Sequence, residues 1–310
     1  MSMDVLTMIL ATAVTAGTPI LYAALGEVLC ERVGVLNLGV EGMMLVGAVT
    51  GFMVGVGTAN PWLGLLAATL AGGAMALIHA FLTVSLKANQ VVSGLALTLF
   101  GTGFSGYLGK SMIGTPLPNP FKDVHLPVLS DLPFVGPVLF QHDMLVLASY
   151  VLAPALWFLL FHTRAGLNLR AVGENPAAAD SLGVNVFLTR YIYVIAGGML
   201  AGIGGAYLSL AYVPTWMENM VAGRGWIAVA LVIFATWNPL NALIGSYIFG
   251  GVHALGFRLQ ALEVTVSPYF LKMLPYILTI VVLIIVTRNN KVRRIGAPQA
   301  LGLPYDREER

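Results

Sequence analysis

Uninterrupted apolar runs, each long enough to cross a lipid bilayer, restrict this chain's fold more than anything else in it. They cover residues 5–25, 35–56, 62–86, 91–108, 144–161, 191–212, 240–257 and 269–286. A helix needs about 20 mostly apolar residues to cross the hydrocarbon core. Inside lipid every backbone polar group must be paired within the protein, which leaves helices or closed barrels. Barrel strands alternate in polarity over about ten residues, whereas these runs are continuous. Only 10% of the 310 residues are charged, against about a quarter in soluble domains. The expected fold is all-α, a polytopic transmembrane helical bundle of about 8–9 membrane segments, one of them broken or re-entrant, in a single domain spanning 1–310.

Between the runs lie three polar regions. Residues 109–142 hold Pro116, Pro118, Pro120, Pro127, Pro133 and Pro137 and show no helical period, which predicts an ordered external loop. Residues 162–190 form the longest polar stretch with a helix-compatible pattern, and residues 288–310 form a polar tail. Arg164, Arg170 and Arg190 in the second region, and Arg288, Lys291, Arg293 and Arg294 in the tail, place both in the cytoplasm by the positive-inside rule. Counting spans backward then sets the N-terminus outside. Counting forward requires residues 226–257 to leave and return on one side, so the short run 226–237, ended by "WNPLN", is expected as a half-helix. Irregular backbone at that depth is tolerated only inside protein or beside water. The first residues lack a basic leader, so no cleaved signal peptide is expected.

Several chemistries find no support. The formal net charge of +2 argues for no nucleic-acid partner. Cys30 is the only cysteine, so it is expected as a small buried hydrophobe. His79, His125, His142, His162 and His253 are scattered without zinc-ligand spacing. "GFSGYLGKS" (103–111) misses the phosphate-loop pattern, because Phe104 stands where glycine is required. Gly47, Gly51 and Gly55, like Gly198 and Gly202, recur every fourth residue and predict close helix packing.

"GEVLCERVGVLNLGVEGMM" (26–44) is the densest polar cluster beside apolar sequence. A charged side chain at the centre of a membrane helix costs about 2.5–3.5 kcal/mol, so four would cost on the order of 10 kcal/mol if unpaired there. The helix should break, with Gly34 and Gly39 as places to do so, or the groups should pair or reach water. Glu27 and Glu31 are i,i+4 and would repel as bare carboxylates, so they need Arg32, backbone donors or a helix N-terminus. These three read as a structural joint. Asn37 and Glu41, also i,i+4, put an amide and a carboxyl on one helical face. That pair suits a polyhydroxylated ligand and equally suits the open backbone of a broken helix.

"GEVLCERVGVLNLGVEGMMLVGA" together with "LRAVGENPAAADSLGVNV" and "AGRGWIAVALVIFATWNPLNALIGSYIFGG" resembles the permease subunits of bacterial ABC importers, in the branched-chain amino acid and simple-sugar permease family, nucleoside or simple-sugar subgroup. The resemblance implies alternating access in the bacterial inner membrane, with no cofactor on this chain and no catalysis by it. ATP and Mg would be bound by cytoplasmic ATPase subunits. A second, related but non-identical permease and an extracytoplasmic binding protein would complete the assembly, and a nucleoside or simple sugar would be carried. It also implies that residues 173–184 couple to the ATPase, through Glu174, Asn175, Pro176, Ala177, Ala178, Ala179, Asp180 and Gly183. Physically, Asn175 can cap a helix with Pro176 in its first position, and Gly183 can end it.

A substrate path in such a protein is expected near broken helices. The candidates are Asn37, Glu41, Asn89 and Asn238, with Asn89 equally readable as an interfacial turn. Glu218, Asn219 and Arg224 are expected at the outer mouth, as gate or docking surface. The alternative is a stand-alone secondary transporter or channel coupled through Glu27, Glu31 and Glu41. It would need an acidic or histidine relay in later spans, where charge is nearly absent.

Overall fold

In a computed structural model, which describes residues 3–261, 268–288 and 297–307, the first apolar run does not stop at Leu25. It continues as one helix, α1 (Met3–Arg32), so Glu27, Glu31 and Arg32 ride on its last turns. Pro19 lies inside α1 and removes one ladder bond; beside it Thr18 Oγ1 donates to the Val14 carbonyl at 2.9 Å. The break falls at Gly34, whose φ of +89° is open to glycine and costly for residues with a Cβ. Residues 34–39 are irregular, and α2 (Val40–Thr58) starts at Val40 instead of Val35.

The Asn60 side chain accepts the Trp62 N–H at 3.0 Å and starts α3 (Pro61–Ala80), which runs on through a π-helical turn, Phe81–Ser85. Next comes α4 (Gln90–Gly109). The proline-rich segment holds a short antiparallel pair, β1 (Asp123–His125) and β2 (Gln141–Asp143), with Val124 opposite His142. Asp143 caps α5 (Met144–His162), its carboxyl accepting from Leu145 and Val146 N–H; burial pushes that carboxyl above its ordinary pKa. Then follow α6 (Arg164–Glu174), α7 (Pro176–Ser181) and α8 (Val186–Tyr207), the last prolonged by a π-helical turn, Leu208–Tyr212. After these come α9 (Arg224–Phe234), α10 (Pro239–Ala261) and α11 (Pro268–Arg288). Lys291, Arg293 and Arg294, used above to orient the tail, lie outside the described residues.

Among the described residues, six helices are long and apolar enough to cross a membrane: Val5–Arg32, Val40–Thr58, Pro61–Ser85, Gln90–Met112, Met144–His162 and Val186–Tyr212. The 11 residues of α9 rise only about 16 Å, too short to cross alone. The most apolar windows of α1, α2 and α8 are 67%, 72% and 67% buried, against 39%, 33% and 28% for α3, α4 and α5. The first three are therefore the centre of the bundle, and the others present apolar faces outward.

Glycine sets the spacing of that centre. A Cβ on Gly47 would lie 2.5 Å from the Gly202 carbonyl oxygen, and one on Gly26 would collide with the Gly197 carbonyl. α2 and α8 run parallel, since Gly51 and Gly55 meet Ala206 and Leu210 further along.

The bundle has two distinct ends. One gathers Gly34, α6, α7 and residues 297–307, with the Gly302 N–H donating to Gly34 and the Ala300 N–H to Gly173. The other gathers the turn at Ala59, the proline-rich loop and the connector after α8: Asn119 Nδ2 donates to Ala59, and Leu117 N–H to Pro214.

Candidate functional site

Residues 34–39 are the element that organises the site. Running through the bundle without helix or sheet, they have backbone groups that must be paired from outside. Side chains of three helices supply the pairing. Gln90 Oε1 accepts the Leu36 N–H at 2.7 Å, and Glu27 Oε1 accepts that of Asn37 at 3.1 Å. The Leu36 carbonyl meets His79 Nε2 at 3.0 Å, and the Leu38 carbonyl accepts from Thr98 Oγ1 at 2.8 Å. His79 Nδ1 lies 2.9 Å from Ser93 Oγ. With Nε2 donating to the carbonyl, Nδ1 is left to accept the serine hydroxyl.

α9 is held at both ends by the same stretch of sequence. At its start, Glu41 accepts the Gly223 N–H on one carboxyl oxygen and the Gly225 N–H on the other, each at 2.7 Å. These are orphan donors of a helix N-terminus, where negative charge is favoured. At its far end, Arg32 donates from Nε to the Trp237 carbonyl at 3.1 Å and from Nη2 to the Thr236 carbonyl at 3.2 Å. The Trp237 indole N–H donates to Glu31. Glu41 therefore meets the positive end of α9, and Arg32, with Glu31 beside it, the negative end. The backbone bends sharply at both: Asn219 and Ala222 precede α9 and Thr236 and Trp237 follow it with φ between 51° and 53°, conformations that cost of order 1–2 kcal/mol each in non-glycine residues.

Arg32 does not pair with Glu27 or Glu31, the partner its place in the sequence suggested. Arg32 binds the carbonyls that close α9, and each glutamate binds an N–H. Asn37 is buried, its Oδ1 accepting the Gly39 N–H at 3.0 Å while Nδ2 lies 3.5 Å from Met43 Sδ. Glu41 is 5% exposed. Asn89 is exposed and caps α4 through the Val92 N–H, and Asn238, half-buried, accepts the Leu240 N–H at the start of α10. The two caps share no hydrogen bond with Asn37 or Glu41. In the connector, Glu218 and Asn219 are exposed. Arg224 is buried, with Nη1 donating to the Met220 and Val221 carbonyls and the guanidinium 6.0 Å from the Tyr212 ring.

In residues 173–184 Asn175 Oδ1 accepts the Ala178 N–H at 2.9 Å, Pro176 opens α7, and Gly183 ends the turn with φ +85°. Ala177, Ala178 and Leu182 face outward while Ala179 is buried. Reading the sequence missed His79, Gln90, Ser93 and Thr98. The available signal was a polar group within an apolar helix, which in a membrane asks for a named partner.

These features define a polytopic helical membrane protein with a half-helix held inside its bundle. The chain belongs to the family described as branched-chain amino acid transport system / permease component, matched over residues 9–285. It is 42% identical to the putative glucose ABC transporter permease protein TsgC13 of Haloferax volcanii, over 97% of this chain and 98% of that one. It is 36% identical to the guanosine ABC transporter permease protein NupQ of Bacillus subtilis, over 99% of each. The nucleoside ABC transporter permease protein NupC of Lactococcus lactis subsp. cremoris is 34% identical over 97% of this chain and 98% of its own length. The first two organisms each hold a more distant relative named for the same substrate, TsgB13 at 27% and NupP at 22% identity.

Proposed function

We propose that this chain is a permease subunit of an ATP-binding-cassette importer that carries a neutral nucleoside or simple sugar across the bacterial inner membrane. The observation that carries the reading is near-full-length similarity to permease proteins named for glucose, guanosine and nucleosides. α10 and α11 cross beside the six apolar helices, and α9 enters and returns. Orientation is N-terminus outside and C-terminus cytoplasmic, supported by Arg32, Lys87, Arg170, Arg190 and Arg307 at one end of the bundle. Partner ATPases bind ATP and Mg and push on α7, whose outward face of Ala177, Ala178 and Leu182 suits a shallow groove. A related, non-identical permease completes the path, in keeping with the paired names in two organisms, and an external binding protein delivers substrate to the end holding Glu218 and Asn219.

The path runs where α2 and α9 begin. Glu41 holds the start of α9 there, Asn37 lies in the irregular residues just before α2, and Asn89 and Asn238 cap α4 and α10. Ion coupling through Glu41 is disfavoured because both of its oxygens are occupied by backbone donors. The test is uptake of labelled nucleosides and sugars into vesicles carrying this chain with and without its ATPase and permease partners. ATP-dependent uptake only with the partners is the expected result; uptake by this chain alone would defeat the proposal.

A further inference from the structure

Residues 297–307 contain no helix or strand, yet they are bonded to five separate parts of the protein. Ala300 N–H donates to Gly173 at 2.9 Å, and Gly302 N–H to Gly34 at 3.3 Å. Arg190 of α8, fully buried, donates from Nη1 to the Leu303 carbonyl at 3.4 Å. Asp306 forms an ion pair with Lys87, between the third and fourth helices. Tyr305 OH and Arg307 Nε both donate to Asp180 Oδ2 of α7, each at 3.0 Å, and the Tyr305 ring lies 5.9 Å from that of Phe187. Ala300 and Tyr305 are buried. Two backbones, residues 32–34 and Gly173, meet beneath this segment. A Cβ on Gly34 would lie 3.3 Å from the Ala300 oxygen and 3.5 Å from Gly173 Cα, and one on Gly173 would collide with the Arg32 carbonyl.

The geometry matters because α7 is a poor lever by itself. It has six residues, far below the length at which a helix is stable alone. It is preceded by extended backbone at Asn175 (φ −148°, ψ 92°) and followed by left-handed Gly183. A push on its outer face would bend these two hinges unless something behind α7 resists. Asp180 is that point of resistance, and what it holds is residues 297–307.

We propose that Tyr305 and Arg307 are positioning residues for α7: through Asp180 they fasten it to a strap that is itself bonded to Gly34, so that α7 and residues 34–39 move as one body. A displacement of α7 then reaches Glu27, Asn37 and, through α2, Glu41 and α9. The inference rests on the reading of α7 as the ATPase-facing element.

The experiment uses the assembled importer in proteoliposomes, reading substrate taken up per ATP hydrolysed together with hydrogen exchange of backbone amides 177–184. The chain ended after residue 296 and the double variant Tyr305→Phe/Arg307→Gln are compared with the whole protein. Expected are continued ATP hydrolysis, uptake per ATP lowered roughly tenfold, the scale of one charge-assisted hydrogen bond, and faster exchange in α7. Arg307→Lys should restore part of the loss. Unchanged uptake per ATP with unchanged exchange overturns the proposal, and so does a proportional fall of uptake and hydrolysis in the double variant. Ala178→Glu in the same assay separates the two ideas: if it transports normally, α7 is not the coupling element, while exchange in the strap variants still judges the strap.

Discussion

Glu41 Oε2 accepts the Gly225 N–H at 2.7 Å across 184 residues of sequence, while its other oxygen accepts from Gly223. A carboxylate on the first turn of one broken helix is thereby the cap of another. Glu41→Gln offers one acceptor where two donors point, and turns an NH2 toward the second. Losing a buried, charge-assisted pair costs about 1–3 kcal/mol. The expected outcome is correct insertion, a lower melting temperature in detergent and uptake reduced at least several-fold, with Glu41→Ala more severe. Wild-type uptake by Glu41→Ala would show that α9 does not depend on this cap.

Gly225 faces the same carboxyl from the other side. A Cβ there would lie 2.7 Å from Glu41 Oε2 and from its Cα, closer than real Cβ contacts come. Gly225→Ala should therefore displace α9 and lower uptake although it adds only one methyl group. Pairing it with Glu41→Ala should give less than the sum of the two losses, since residues in contact are not additive. Uptake rates of the two single variants and the double one measure this directly.

The far end of α9 is anchored by Trp237 and Arg32. Trp237→Phe keeps an aromatic ring but loses the pyrrole part of the indole and with it the N–H held by Glu31, leaving a buried acceptor short of a donor at about 1–3 kcal/mol. Arg32→Lys replaces a planar fork spanning two carbonyls with a point charge able to satisfy one well. Both should lower thermal stability, measured by fluorescence-detected melting of the solubilised protein. A Tm unchanged in both variants would remove this anchor.

His79 bridges Ser93 and the Leu36 carbonyl. His79→Ala strands that buried carbonyl beside a cavity, while His79→Gln keeps a donor on a side chain of similar reach. The alanine variant should melt several degrees lower, with glutamine recovering part of the loss. Equal melting of the two would mean the hydrogen bond contributes nothing.

Ala178 is exposed on α7, and only its backbone N–H takes part in the cap. Ala178→Glu should leave insertion and the melting curve intact and abolish ATP-driven uptake by putting bulk and charge on the face proposed to meet the ATPase. Normal uptake in this variant would count against that face as the ATPase contact.

Local chemistry made parts of the fold readable in advance. The membrane helices follow from apolar length, because hydrocarbon allows no unpaired backbone. α7 begins at Asn175–Pro176 and turns out at Gly183 because capping, a fixed proline φ and glycine's left-handed freedom act within a few residues. Span parity asked for a short segment near residues 226–237, and a short apolar helix, α9, stands at Arg224–Phe234. The end of α1 was misjudged at Leu25, because the cost of Glu27, Glu31 and Arg32 in an apolar helix was visible and their partners were not.

Those partners lie far away along the chain. Sequence by itself determined a membrane protein built on helices, where its chain must break, and which polar groups needed an answer. Only the tertiary structure decided what answered them: Asn37 N–H for Glu27, the Trp237 indole for Glu31, carbonyls in place of carboxylates for Arg32, and the start of α9 for Glu41. The reason is physical. Helix formation is settled by neighbours a few residues apart, but the pairing of a buried polar group depends on which helices glycine contacts such as Gly47 against Gly202 allow to pack together.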